Sequence, residues 1–594
     1  MPPGCWVAFA AALLLSAVPV PAAELYVALD GNDANSGAKE APFRSIERAR
    51  QAVREQVAAQ PRSSVLVLLR GGVYELAQPL TFGPEDSGTE TCAVTYAAYP
   101  GETVVLSGGQ RIAGWKRAEG NRWTADVPDA KSGKRFFRQL TVNDRRAVRA
   151  RWPNEEGALH IMTVSKDVMT FTFERPLPVG LAGEAAELVV YERWSVTRGL
   201  VTSSDEHCVT TATPMGWIGH GAATTASRGK CAFIEHARAC LDQPGEWFLD
   251  RTNGVITYLA VDGEDPSSMT FVAPVLEQVL RIAGTHDQPV RNLHFRGLCL
   301  EHTDFPLPVQ GYREIQSAHY GTSMQERTFV QPVGVECTFV QGCSFELCRL
   351  AHLGASGIGF GQGCRSNKVV GCSIEDIGGT GVMIGWRGKG NLQSGEHSAD
   401  WLDPSDAPAA NEVANCHIRQ CGADSFGAVG IAALFSADTH IVHNLIHDMP
   451  YTGISIGFRW DTSPTTQARC TVEYNHIYDV MTKMADGGGL YTLGYQPGTV
   501  LRVNHIHGVR RNPYANGAGN NGLYLDAGSK GFLIEDNVVY GAAGESLFLN
   551  ENQHDWHTWK NNFFDAKPAD LLKVVGEAGL EPAYRKILSM NYVP

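Results

Sequence analysis

The chain has 594 residues and a formal net charge of −13 at pH 7, which excludes nucleic acid and anionic membrane surfaces as general partners. Charged residues make up 19% and glycines number 63, a balance that favours a β-rich, turn-dense protein over a helical one. The length exceeds one ordinary compact domain, but a solenoid escapes that limit because each turn packs only on its neighbours.

Residues 1–23 contain the apolar run AFAAALLLSAV and then small residues ending PAAE. That is the apolar region and cleavage end of a secretory signal peptide, although no Lys or Arg precedes the run. It predicts a secreted or periplasmic protein. The run is too short for a membrane span, and no later stretch of about 18 apolar residues offers one. Of the 14 Cys, none forms a Cys-x-x-Cys pair, so no metal site is expected from them. Cys343, Cys372 and Cys416 read as small buried residues stacked at one corner; Cys208, Cys231 and Cys240 are the candidates for a disulfide.

Residues 24–109 open with a strand and an Asp/Asn/Gly loop. Ser45 then caps a helix with Ile46, Ala49, Ala52 and Val53 at helical spacing. Short apolar runs separated by glycine turns follow, hence strands. A helix over the open end of a β-solenoid covers a core and an edge that would otherwise face water. From 110 to 285 the runs lengthen and hairpin signals such as Thr252-Asn253-Gly254 appear, which predicts an inserted antiparallel β-rich domain. Its Trp115, Trp123, Trp194, Trp217 and Trp247 are read as core.

From 286 to 594 a repeat takes over. A corner residue falls at Cys343, Cys372, Cys416, Asn444, Asn475, Asn504, Asn537 and Asn561, at intervals near thirty residues except where a polar loop, residues 386–410, is inserted. The runs are short and rich in Val, Ile and Gly, without helical periodicity. The fold class is therefore all-β: a right-handed parallel β-helix with an N-terminal capping helix and an inserted antiparallel domain.

Two acids interrupt this pattern. Counted from the corner Asn475, Asp486 aligns with Met383, Ser455 and Phe548 as the outward residue of its strand. The rung from Asn504 carries the insertion ANGAGNN, so Gly522 to Asp526 is aligned on Gly453 to Gly457. Tyr524 then stacks on Asp486, and Asp526 lies one rung and two residues away, roughly 7–8 Å off. Two carboxyls so placed are the minimal apparatus for glycosidic cleavage: one protonates the leaving oxygen, the other attacks or activates water. Trp386, Arg387, Arg459, Trp460, Tyr491, Tyr495, Tyr524, Asn550, Glu551, His554 and Trp556 surround this face as candidate sugar contacts, with Glu551 and His554 in reserve for catalysis. His476 and His505 read as ordinary surface ladder members, and His440, His443 and His447 as a poor zinc site. No metal and no cofactor is expected.

The segments YVALDGNDANSGAKEAPFRSIERAR, GGVYEL, AYPGETVVLSGG and GEWFLDRTNGVITYLAV resemble the exported right-handed β-helix proteins that include glycoside hydrolase family 141. ADGGG around Asp486 and LYLDAG around Asp526 are the more specific match. The resemblance implies α-L-fucosidase or xylanase activity on plant or algal polysaccharide, with Asp486 and Asp526 as the catalytic pair. Two rivals remain on the same fold. One is a polysaccharide lyase or uronate epimerase holding Ca²⁺ between the acids, with Arg459 or Lys530 as base or charge neutraliser. The other is a non-catalytic carbohydrate-binding surface protein. The substrate is the only partner expected, and the chain is expected to be a monomer.

Overall fold

The computed structural model describes residues 23–216, 230–317, 319–321, 328–385, 403–565 and 572–589. The expected signal peptide, Trp217, Trp386, Arg387 and most of the inserted loop lie outside them.

The chain winds into a coil of three parallel sheets with 12, 10 and 11 strands. Each rung places one short strand in each sheet. The inward side chains stack in columns: Ile446, Ile477, Ile506 and Val539 succeed one another, all fully or almost fully buried. Each such side chain contributes about 1.5–3 kcal/mol by leaving water. The helix Ile46–Ala59 lies on the terminal strands Ala23–Val27 and Val65–Leu69. Ser45 accepts from the Arg48 amide at its N-terminus, and Ile46, Ala49 and Val53 join the main core.

The corner entering the 11-stranded sheet holds Cys348, Cys372, Cys416, Asn444, Asn475, Asn504, Asn537 and Asn562. Two expected positions are thereby corrected. Cys343 enters the 12-stranded sheet, where its amide donates to Asn367 Oδ1 at 3.0 Å. Asn562, not Asn561, ends the ladder, because its Oδ1 accepts from Asn537 Nδ2 at 2.9 Å. The Asn side chains link rung to rung: Asn444 donates to Asn475, Asn475 to Asn504 and Asn504 to Asn537, at 3.0, 3.0 and 2.9 Å. All described cysteines are free thiols, so Cys208, Cys231 and Cys240 form no disulfide.

The antiparallel insertion leaves the coil at Gly109–Ile112, which pairs with Phe271–Pro274. The strand Leu280–Ala283 is already back in the coil, between Leu80–Phe82 and Val333–Thr338. The insertion therefore ends before the expected residue 285; the apolar runs flanking residue 275 read alike, and only pairing separates them. Trp115 and Trp247 are core residues, as expected.

A buried ionic cluster fixes the insertion on the coil. Arg138 and Arg149 bind Glu187 at 2.8 and 3.0 Å, and Arg198 binds Glu235 at 2.7 Å. Arg198 also donates to the Asp424 carbonyl at 2.9 Å, and Arg146 binds Asp376 at 2.7 Å, both on the coil. Burial alone would raise the Glu187 carboxyl; the guanidiniums of Arg138 and Arg149 overcome it and hold it well below the usual range.

Candidate active site

The 10-stranded sheet presents its outer face at four successive strands, Ile454–Ile456, Gly487–Thr492, Asn520–Leu525 and Leu547–Leu549. Their outward residues form one column: Ser455, Tyr491, Tyr524 and Phe548. The expected register for Asp526 is the observed one, since Leu523, Tyr524 and Leu525 pair with Leu490, Tyr491 and Thr492.

Asp486 is not in that column. Tyr491 takes the place assigned to it, because the rung from Asn475 carries five extra residues before the strand (491 minus 486). Asp486 instead sits in the turn before Gly487, with a φ of 61° that Asp tolerates better than most residues. Asp526 follows the far end of the neighbouring strand. The two backbones are thus not diagonal neighbours, and Tyr524 does not stack on Asp486 as a rung partner.

The side chains tie both acids to one packed pair of tyrosines. Tyr524 Oη donates to Asp486 Oδ1 at 3.1 Å, and Tyr491 Oη donates to Asp526 Oδ2. The two rings meet edge to face at 5.1 Å. They pack with Leu493 and Ala527 in a cluster separate from the main core, against Trp460 and Phe548. Both acids thus lie outside the coil on one wall. Each is also held by its own donors or acceptors. Asp526 receives Asn550 Nδ2 and the Ala527 amide, both at 2.7 Å. Tyr451 Oη donates to the Asp486 carbonyl at 2.8 Å, and Gln316 donates to that hydroxyl at 3.3 Å.

The two carboxyls have different surroundings. Burial first, and the Asp526 charge second, raise the Asp486 carboxyl above the ordinary Asp range, against the opposing pull of Tyr524, Arg193 and Arg511. Burial and the two carboxylates also raise Tyr451, Tyr491 and Tyr524, so all three keep their protons and act as donors. Asp526, only 9% exposed, meets three donors. Asp486 is partly exposed and holds its proton longer. One acid and one base can therefore face a single bond.

Of the other expected contacts, Tyr491, Tyr524, Asn550 and Trp460 converge on the pair. Arg459 turns to Asp461, with its Nε 2.8 Å from Oδ1. His554 stacks on Trp559 at 4.7 Å, and Glu551 is exposed; among the described residues neither bonds to Asp486 or Asp526. Glu551 has a φ of 47°, and it is Asn552, next along, whose Nδ2 donates to the Ser529 carbonyl at 2.8 Å and the Asp526 carbonyl at 3.5 Å. Sequence reasoning missed Tyr451, Gln316, Arg193 and Arg511. Arg193 belongs to the insertion, and its carbonyl accepts from the Ala485 amide at 2.8 Å. Arg511 ties the inserted ANGAGNN segment by donating to the Ala518 carbonyl at 2.6 Å. No local motif announces either; only the fold of the insertion against the coil does.

A cleft of about 650 Å³ opens elsewhere between the insertion and the coil, lined by Asp144, His352, Glu375 and Asp376 among others. Its acids are already engaged: Asp144 and Glu375 by Arg349, Asp376 by Arg146 and His352. Such pairs hold surfaces together.

Comparison with known proteins agrees with this architecture. Residues 120–260 match the family described as the GH141 insertion domain, and residues 408–580 the right-handed beta helix region. No curated protein matches the chain. A solved structure described as a glycoside hydrolase superposes with a TM-score of 0.85 at 27% identity, covering 95% of this chain and 100% of that one. A structure described as the complex of XylC with xylose is more distant, with a TM-score of 0.48 and 16% identity over 89% of this chain and 69% of that one. The chain is a glycoside hydrolase built as a right-handed parallel β-helix, with an insertion that matches the GH141 insertion domain.

Proposed function

We propose that this glycoside hydrolase cleaves glycosidic bonds in plant or algal polysaccharide, as an α-L-fucosidase or xylanase, through Asp486 and Asp526. The observation that carries the reading is the pair itself: two carboxyls on one outer wall, joined through Tyr524 and Tyr491, with unequal surroundings. Asp486 is assigned as general acid, because its raised carboxyl retains the proton the leaving oxygen needs. Asp526 is assigned as nucleophile or base, its oxygens oriented by Tyr491, Asn550 and the Ala527 amide. Trp460 and Phe548 offer ring faces to the apolar side of a sugar. The N-terminal apolar run is assigned to export, which a polysaccharide outside the cell requires.

A panel of aryl glycosides led by α-L-fucoside and β-xyloside, run with and without chelator, tests the reading. We expect release of the aryl alcohol from one member of the panel, unchanged by chelator. Activity that needs Ca²⁺ and yields an unsaturated product would instead indicate a lyase.

A further inference from the structure

The outer face of the 11-stranded sheet carries two neighbouring columns of rings, far in topology from the carboxylates on the 10-stranded sheet. One runs through His417, Leu445, His476 and His505; the next runs through Arg419, His447, Tyr478, His507 and Tyr540. Successive rings stack. His476 lies on His505 at 4.5 Å and 10°, and Tyr478 on His507 at 5.3 Å and 5°.

Three of these imidazoles converge. One ring nitrogen from each of His476, His505 and His507 lies within 4.8 Å of the other two. His476 Nε2 and His507 Nε2 are 2.9 Å apart. His505 supplies the second observation. It is only 4% exposed; its Nε2 sits 3.0 Å from the Tyr540 hydroxyl, while its Nδ1 is buried without a hydrogen-bond partner. An orphaned buried polar atom is uncommon in a folded chain and calls for a ligand or an ion.

We propose that His476, His505 and His507 bind a divalent transition-metal ion such as zinc, nickel or copper on the outside of the coil. Imidazole suits these ions, whereas calcium and magnesium prefer oxygen. Zinc–nitrogen bonds of about 2.0–2.1 Å place tetrahedral ligand nitrogens roughly 3.3 Å apart, so ring rotations must open the 2.9 Å contact between His476 and His507 while bringing His505 in. Tyr540 meets His505 Nε2 at 3.0 Å and so orients that ring as a ligand. The rings are ready as ligands. An imidazole binds a metal through its neutral form, which both His476 and His505 can offer from their stacked positions. The site joins two adjacent rungs, so occupancy would pin the coil rather than feed the chemistry on the other sheet.

The test is a zinc titration by calorimetry on the full chain carrying no affinity tag. We expect one ion per chain, loss of binding in His476→Ala/His507→Ala, and binding weakened about tenfold or more in Tyr540→Phe. No bound ion, or unchanged binding in the folded double variant, would overturn the site. Should the double variant fail to fold, the zinc X-ray absorption spectrum of the unsubstituted chain decides. Three imidazole nitrogens support the assignment, and any other number rejects it.

Discussion

At the scale of single residues the account rests on unequal acids. Asp486 is raised by burial and by Asp526, so activity should fall as pH rises through its pKa and the acid loses its proton. Tyr524 opposes that shift by donating to Asp486 at 3.1 Å. Tyr524→Phe should therefore move the basic limb of the pH–rate profile upward, by about one unit at most; a downward shift would contradict the assignment. The roles also predict a difference between substrates. Asp486→Asn should lose less rate on an aryl glycoside with a good leaving group than on a natural one, because an activated leaving oxygen needs little proton assistance. Asp526→Asn should lose rate equally on both. What the sequence made legible here was uneven. Asp526 was placed correctly because its neighbours Leu523, Tyr524 and Leu525 alternate cleanly. Asp486 was misplaced because its rung holds extra residues before the strand, and counting from the corner cannot see an insertion. Tyr524 and Tyr491 nevertheless reach Asp486 and Asp526 from one packed cluster.

At the scale of the element, the rung is held by its corner. Asn504 Oδ1 accepts from both the amide and Nδ2 of Asn475, at 3.1 and 3.0 Å. Asn504→Ala leaves the Asn475 amide without its acceptor and Asn475 Nδ2 with only the Ile441 carbonyl, so we expect a loss of about 1–3 kcal/mol in denaturant unfolding, with the fold otherwise kept. The glycine run that follows Asp486 has a steric reason. A Cβ on Gly487 would stand 2.6 Å from Tyr451 Cε2, and Tyr451 supports the Asp486 carbonyl. Gly487→Ala should lower kcat well beyond any fall in Tm, as a displaced Tyr451 misaims the acid. The repeat, its β character and the capping helix were readable because hydrophobic period and capping are local. The identity of the corner at both ends was not. Cys343 and Cys348 both precede apolar runs, as do Asn561 and Asn562, and only hydrogen bonding tells them apart.

At the scale of the whole molecule, the insertion is keyed to the coil by buried charge. Glu187 and Glu235 are both held well below the usual Glu range, against burial, by surrounding guanidiniums. Carboxyls so depressed stabilise the fold above their unfolded pKa, and that stability is lost as pH falls through the folded value. Glu235→Gln, which leaves Arg149, Arg151 and Arg198 facing one charge fewer, should cost about 3–5 kcal/mol. Glu314 behaves oppositely. Burial raises it to about 7, although it accepts from Val196 in the insertion and Gly427 in the coil. A raised carboxyl contributes stability at low pH that is lost as pH climbs through about 7. Melting curves across that range should show a decline that Glu314→Gln flattens. None of this docking was legible in the sequence, because its partners lie one to three hundred residues apart and no period links them.

The most direct test of the central claim is the single-turnover hydrolysis rate of Asp486→Asn and Asp526→Asn on the preferred natural glycoside, with melting curves recorded alongside. The account predicts that each variant folds like the unsubstituted chain and hydrolyses about 10²–10⁴-fold more slowly. Full activity in either folded variant would contradict catalysis by this pair.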